Sequence, residues 1–306
     1  MPKFSIITPC YNAQSTICHT IQSLQAQTER DWELICIDDG STDQTCDILR
    51  VAAVIDHRIH LVQNPSKGPS AARNHGVLDL AQADLIAFCD ADDQWAPGKL
   101  AELAALFTDP AVDGAFGQIG FFAQTPKDAT VFSTVPSVPV TIEMLLGENP
   151  VCTMSNVTLR REAFKRTGGF DTDMVHNEDL EWLIRLVGQG ARLVGLPSLH
   201  TWYRTSVGGL STDLQAMLAG RTRALQTAQR FGVRPSPRSN AIHHRYLARR
   251  ALRVGARPTQ ALRFALRGMA ASPTGFLSPP RRGALTLIAS FAALVLPAAL
   301  SRAIFS

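Results

Sequence analysis

Acidic residues and lysine are missing from the last 93 residues of this 306-residue chain. Residues 214–306 hold fifteen arginines and no Asp, Glu or Lys, a net of +15. All 26 acidic residues lie in 1–213, which nets −11, so the overall +4 conceals two segments expected to meet different partners. No CxxC pair occurs among the six cysteines, which argues against a zinc site, and several sit in apolar runs as reduced thiols would in a cytoplasm. No G-x-G-x-x-G occurs, which removes the dinucleotide fingerprint. Aromatics do not interleave with the C-terminal arginines, so no nucleic-acid partner is expected. The start, from Met1, runs straight into a strand pattern with no signal-peptide pattern. No internal repeat or low-complexity tract is present, and 45% hydrophobic with 18% charged residues is an ordinary globular composition.

What is there begins with strand and helix signals in alternation. Phe4–Thr8 reads as a strand ended by Pro9, 13–27 as a helix, Trp32–Ile37 as a strand, and a helix follows Thr42-Asp43. Strands at 59–63 and 84–89 and helices at 69–82 and 97–107 continue the alternation. Such β-α-β order predicts an α/β fold with a mostly parallel sheet and right-handed crossovers. Further strands are expected at 112–122, 156–160, 192–195 and near Trp202-Tyr203, with 126–139 as an exposed excursion and a helix from Glu178. The tail reads as helices at 210–231, 241–254 and 259–270, with 232–240 as a linker. An uncharged stretch at 283–301 is barely long enough to span a bilayer, and Pro297 and its alanines weaken that case.

Two acidic clusters sit where strands end, the place where open α/β sheets bind ligands. Asp38-Asp39-Gly40-Ser41-Thr42-Asp43 could accept a donor from a nucleotide base, although the same residues suit a plain strand-to-helix turn. Asp90-Ala91-Asp92-Asp93 concentrates three carboxylates, which repel one another unless a cation or donors hold them. Hard oxygens suit Mg²⁺ or Mn²⁺, with substrate phosphates as remaining ligands. Gly68-Pro69-Ser70-Ala71-Ala72-Arg73-Asn74 opens a helix, where Arg73 could reach a phosphate or base or simply lie on the surface. Asn177-Glu178-Asp179 starts another helix, where Asp179 is either a general base or a complement to the helix dipole. Trp95 could line an acceptor pocket.

In this order these motifs, with Phe4–Asn12 before them and Gly168-Gly169-Phe170-Asp171 between, resemble a family 2 glycosyltransferase of the GT-A fold over about residues 3–210. The resemblance implies an inverting transferase that takes a nucleotide-sugar donor, UDP-linked by family weight with GDP and dTDP open, and a divalent metal. By the same resemblance Asp39 or Asp38 binds the base, Thr8, Pro9 and Tyr11 line its pocket, and Arg73 lies near the nucleotide. Asp90 faces ribose and diphosphate, Asp92 or alternatively Asp93 holds Mg²⁺ or Mn²⁺, and Asp179 is the catalytic base. Processive members carry Q-x-x-R-W and several long spans. That motif is absent, so transfer of a single sugar is expected; the nearest tract, Trp202-Tyr203-Arg204, could sit over the diphosphate.

The expected organisation is a catalytic domain at 1–213 and a helical Arg-rich region at 214–306. The arginines either dock on anionic lipid at the inner face of the plasma membrane, near a carbohydrate or lipid-linked acceptor, or are simply solvated. Two other functions fit clustered carboxylates: a metal-dependent nucleotidyltransferase or phosphohydrolase, and a silent nucleotide-sugar-binding protein. The glycine-rich loop of the first is absent, and Gln94 breaks the D-x-D-x-[TV] phosphatase pattern.

Overall fold

The computed structural model describes residues 1–205 and 214–296. They form two compact units, 1–140 with 150–205 and 141–149 with 214–296. Residues 141–149 thus group with the helices, and the expected boundary at 213 lies outside the described residues.

The first unit opens with β1 (Phe4–Cys10), α1 (Ile17–Gln25), β2 (Trp32–Asp38), α2 (Thr45–Ile55), β3 (Ile59–Gln63), α3 (Pro69–His75) and β4 (Leu85–Phe88). It continues through β5 (Gln94–Trp95), α4 (Lys99–Leu106), β6 (Gly114–Phe122) and β7 (Val131–Phe132). After 141–149, which carry α5 (Ile142–Gly147), come β8 (Thr158–Arg160), α6 (Arg161–Thr167), α7 (Glu178–Gly188) and β9 (Leu193–Arg204). Among the described residues nine strands form one sheet, ordered β3-β2-β1-β4-β8-β6-β9-β5 with β7 on β6. The first four are parallel; β8 is antiparallel to both β4 and β6. Every residue of β2 is buried, as suits a parallel strand covered by helices on both faces.

Register places the site. Cys10 pairs with Asp38, and Ile7 with Phe88, so the loops after β1, β2 and β4 leave the sheet side by side. Pro9 does not end β1, contrary to expectation: the pairing with β4 stops at Ile7, so the N–H that proline lacks has no partner to lose. The two strands expected at 192–195 and near Trp202 are one, β9, which carries Pro197. Between Phe116↔Gly195 and Gln118↔Leu199, β9 has extra residues that bulge Pro197 out of the ladder. The 126–139 excursion rejoins the sheet through β7.

The second unit contains α5, α8 (Leu214–Arg230), α9 (Pro237–Arg253), α10 (Pro258–Ala271), α11 (Pro273–Phe276) and α12 (Pro280–Val295). Its core is alanine-rich and closed by Leu247, Phe264 and Phe276. The linker expected at 232–240 is half helix: Ser236 Oγ accepts from Ser239 N, and Pro237 takes the first helical position, where its missing N–H is harmless. Residues 297–301 of the apolar stretch lie outside the described residues, and no described helix is long and apolar enough to cross a membrane.

Candidate active site

The first acidic cluster is largely a self-contained turn. Asp38 is buried, and its carboxylate accepts from Gly40 N and Ser41 N at 3.0–3.2 Å. Burial works to raise its pKa, but hydrogen bonds, those from Ser41 foremost, hold it below the usual range. Asp39 is half-buried. Its Oδ1 accepts from Asn64 Nδ2 at 2.7 Å and from Gly68 N, so it ties the β2 loop to the start of α3. Asp43 Oδ1 accepts from Thr45 N, and Asn12 Oδ1 from Thr42 N, which locks the β1 and β2 loops together. Thr8 is fully buried, its hydroxyl without a partner among the described residues, Pro9 is half-buried, and Tyr11 is exposed.

The second cluster divides into three roles. Asp90 Oδ1 accepts from Arg73 Nη2 at 2.6 Å, and its backbone N–H donates to Ser155 Oγ at 2.9 Å. Asp93 is fully buried. Its Oδ1 accepts from Arg204 N at 3.0 Å, and burial, then Asp92 and Asp90, push its pKa well up. Asp92 lies between them, receives no side-chain donor among the described residues, and is pushed up to about 6 by burial and the Asp90 charge. Arg204 donates through Nε to the Asp92 carbonyl and through Nη1 to Gln124 O, so it clamps this loop's backbone.

Arg73 is the hub. It is 5% exposed rather than on the surface. It bonds Asp90 and stands 3.7 Å from Glu178 Oε1, near enough to Asp179 to lower that group's pKa. Burial first, and next the Asp179 charge, raise Glu178 to about 7. Burial likewise raises Asp179, whose Oδ1 accepts from Leu180 N at 2.7 Å. Three motifs, the outermost more than a hundred residues apart, therefore share one guanidinium.

The start of α7 is held by the turn before it. Asn74 Oδ1 accepts from Phe170 N at 2.7 Å, and its Nδ2 donates to Phe170 O at 2.9 Å. Phe170 packs on Trp182, with ring centroids 4.8 Å apart. Gly169 has φ +82°, and a Cβ there would stand 2.5 Å from Asn74 Oδ1. Gly169→Ala should cost on the order of 1–3 kcal/mol and displace α7, lowering kcat as well as Tm. A Tm within a degree of wild type would refute this.

Sequence reasoning missed Ser155 and Lys99. The Ser155 carbonyl accepts from Trp95 Nε1 at 2.9 Å, Lys99 Nζ at 2.7 Å and Thr201 Oγ1 at 3.2 Å. Trp95 is thereby a buried support and does not line an acceptor pocket. Burial lowers Lys99 to about 7. The only signal was a cluster of polar residues inside an otherwise apolar region.

Residues 5–168 match the model of glycosyl transferase family 2. The chain belongs to that family. This glycosyltransferase is 29% identical over 249 residues to an Escherichia coli UDP-Glc:alpha-D-GlcNAc-diphosphoundecaprenol beta-1,3-glucosyltransferase, covering 81% of this chain and 91% of that one. Among solved structures it is similar to Staphylococcus aureus TarS (residues 1–349) in complex with UDP-GlcNAc, with TM-score 0.57 and 19% identity, covering 95% of this chain and 81% of the other. It is also similar to a Pyrobaculum calidifontis mannosyltransferase in complex with GDP-Man and Mn²⁺, with TM-score 0.60 and 20% identity, covering 98% and 87%. The glycosyltransferase has the GT-A fold with a helical C-terminal region.

Proposed function

We propose that the enzyme transfers a single sugar, with inversion, from a UDP-sugar to a hydroxyl of a lipid-linked acceptor in cell-envelope polysaccharide assembly. The observation that carries this is the shared Arg73, which gathers Asp90, Glu178 and Asp179 at the end of the sheet. Asp179 acts as base on the acceptor hydroxyl, with Glu178 beside it. Asp39, with Pro9 and Tyr11, faces the base; Asp38 and Thr8 support that pocket from within.

Among the described residues no three His, Cys, Asp or Glu converge to hold an ion by themselves. Mg²⁺ or Mn²⁺ commonly takes one or two carboxylates and completes its shell with phosphates and water. Asp92 fits that role: among the described residues it is a hard donor without a side-chain partner, its proton affinity is raised by burial and then by the Asp90 charge, and a cation would relieve the repulsion. Asp93, sealed in and bonded to Arg204 N, fits as its support. When bound, the metal would neutralise charge on the departing diphosphate.

The lipid-linked acceptor and the UDP-sugar are supported by the name of the E. coli relative, and the nucleotide also by the TarS complex. The Arg-rich region would then face anionic lipid at the inner membrane surface. A thermal-shift panel with UDP, GDP and dTDP, each with and without Mn²⁺, tests this. UDP with Mn²⁺ at about a hundred times Kd should raise Tm by on the order of 5–10 °C. Asp92→Asn should lose the Mn²⁺-dependent part while its own Tm is no lower than that of wild type. A larger shift with GDP would overturn the UDP assignment, and no nucleotide shift at all would overturn the donor site.

A further inference from the structure

The outward face of α12 is apolar and its inward face is not. Gly283, Thr286, Ser290 and Ala293, at helical spacing, are buried against the rest of the second unit. Leu285, Ile288, Phe291 and Val295 lie on the far side, 55%, 63%, 50% and 83% exposed. This polarity is fixed by close packing: a Cβ on Gly283 would meet Leu277 Cα and Phe276 O at 2.5 Å. The two hydroxyls on the inward seam are satisfied within the helix, Thr286 Oγ1 donating to Arg282 O and Ser290 Oγ to Thr286 O. The helix can therefore bury its small polar side without water, and cannot turn over to hide its large apolar side.

The charge around this face is of one sign. Arg281 is exposed at the start of the helix, on the outward side. Among the described residues of the second unit the acidic ones are Glu143 and Glu148. Glu143 accepts from Ser236, and Glu148 is held by Arg245, Arg249 and Arg282 at 3.3–3.5 Å. Arg263 and Arg267 are also exposed, on α10, which packs against α12.

We propose that α12 lies in the surface of an anionic bilayer, with Leu285, Ile288, Phe291 and Val295 among the acyl chains and the arginines of the unit on the headgroups. Its sixteen residues rise about 24 Å, short of the roughly 20 apolar residues a spanning helix needs, so the helix rests in the interface. A second copy of the chain would cover the apolar face equally well, but would bring its own arginines against these; lipid phosphate answers the charge. The inference deepens the lipid-linked-acceptor reading and rests on it only for its purpose.

Flotation of the full chain with vesicles of equal parts phosphatidylglycerol and phosphatidylcholine tests the proposal. Wild type should float with these, and much less with phosphatidylcholine alone or at high salt. The triple variant Leu285→Gln, Ile288→Gln, Phe291→Gln should lower the bound fraction at least about tenfold while keeping its Tm and its nucleotide-induced shift. That retained shift separates failure of lipid docking from failure of the donor reading. Wild type that does not float, or a triple variant that floats equally, overturns the proposal. So does light scattering that shows a dimer which the triple substitution splits without any vesicle binding.

Discussion

Replacing Asp179 by Asn should lower transfer by about 10²–10⁴-fold while nucleotide affinity stays close to wild type and Tm is no lower. The substitution keeps an oxygen that can accept from Leu180 N and removes only the basicity. Binding by titration and transfer by product formation check the two halves separately, and undiminished transfer would remove Asp179 from the role of base. The pH dependence follows from the same carboxylates. Burial raises Asp179 above its ordinary 3.8 and Glu178 to about 7. A base must be ionised, so kcat/KM should fall as pH drops through this raised range and level off above it. Stability should run the other way. A carboxyl whose folded pKa is raised contributes stability that is full below its unfolded value and lost as pH rises through the folded one. For Asp92 that window runs from 3.8 to about 6, and for Glu178 from 4.5 to about 7. The apo enzyme should therefore gain activity and lose stability over the same interval. Divalent metal with nucleotide should raise Tm more at pH 8 than at pH 5, because it replaces the proton on Asp92. An equal shift at both values would separate the metal from that carboxylate.

Arg73→Met should be the most destabilising single change in the site, at about 3–5 kcal/mol, because it leaves buried carboxylates without their shared cation. Asp90 loses its 2.6 Å partner, and Glu178 and Asp179 lose the Arg73 charge that lowers their pKa values. With that charge gone their pKa values rise further, so the penalty should be largest at high pH and shrink as the carboxyls take up protons. Arg73→Lys should rescue only part of it, since one ammonium cannot reproduce a planar fork that serves two carboxylates. A double cycle with Glu178→Gln is the decisive measurement. If Arg73 and Glu178 interact, the second substitution should recover part of the stability lost to the first. Strict additivity, or a Tm unmoved by Arg73→Met, would reduce Arg73 to a packing residue.

The motif residues were legible because each stands at the carboxyl end of a strand or the start of a helix, and local pattern marks those places. Asp90-Ala91-Asp92-Asp93 and Glu178-Asp179 stand out by charge alone against apolar neighbours. Division of labour within the clusters was not legible, because it depends on partners far along the chain. Asp93 differs from Asp92 in its complete burial and in the hydrogen bond from Arg204 N, more than a hundred residues away. Proline misled twice. Pro9 read as the end of a strand, but it lies past the stretch that pairs with the neighbouring strand. Pro237 read as linker because a proline before a helix looks the same as one outside it until Ser236 is seen to cap.

The Ser155 carbonyl draws donors from positions 95, 99 and 201, and the hydroxyl of the same residue takes the N–H of Asp90. This makes the order of synthesis matter. The acidic loop at 90–93 emerges early, but its framework is complete only when residues up to Arg204 have been made and β9 has joined the sheet. Closing such long loops is slow relative to local helix formation. A growing chain therefore carries its acidic loop for more than a hundred residues before the framework that holds it is complete.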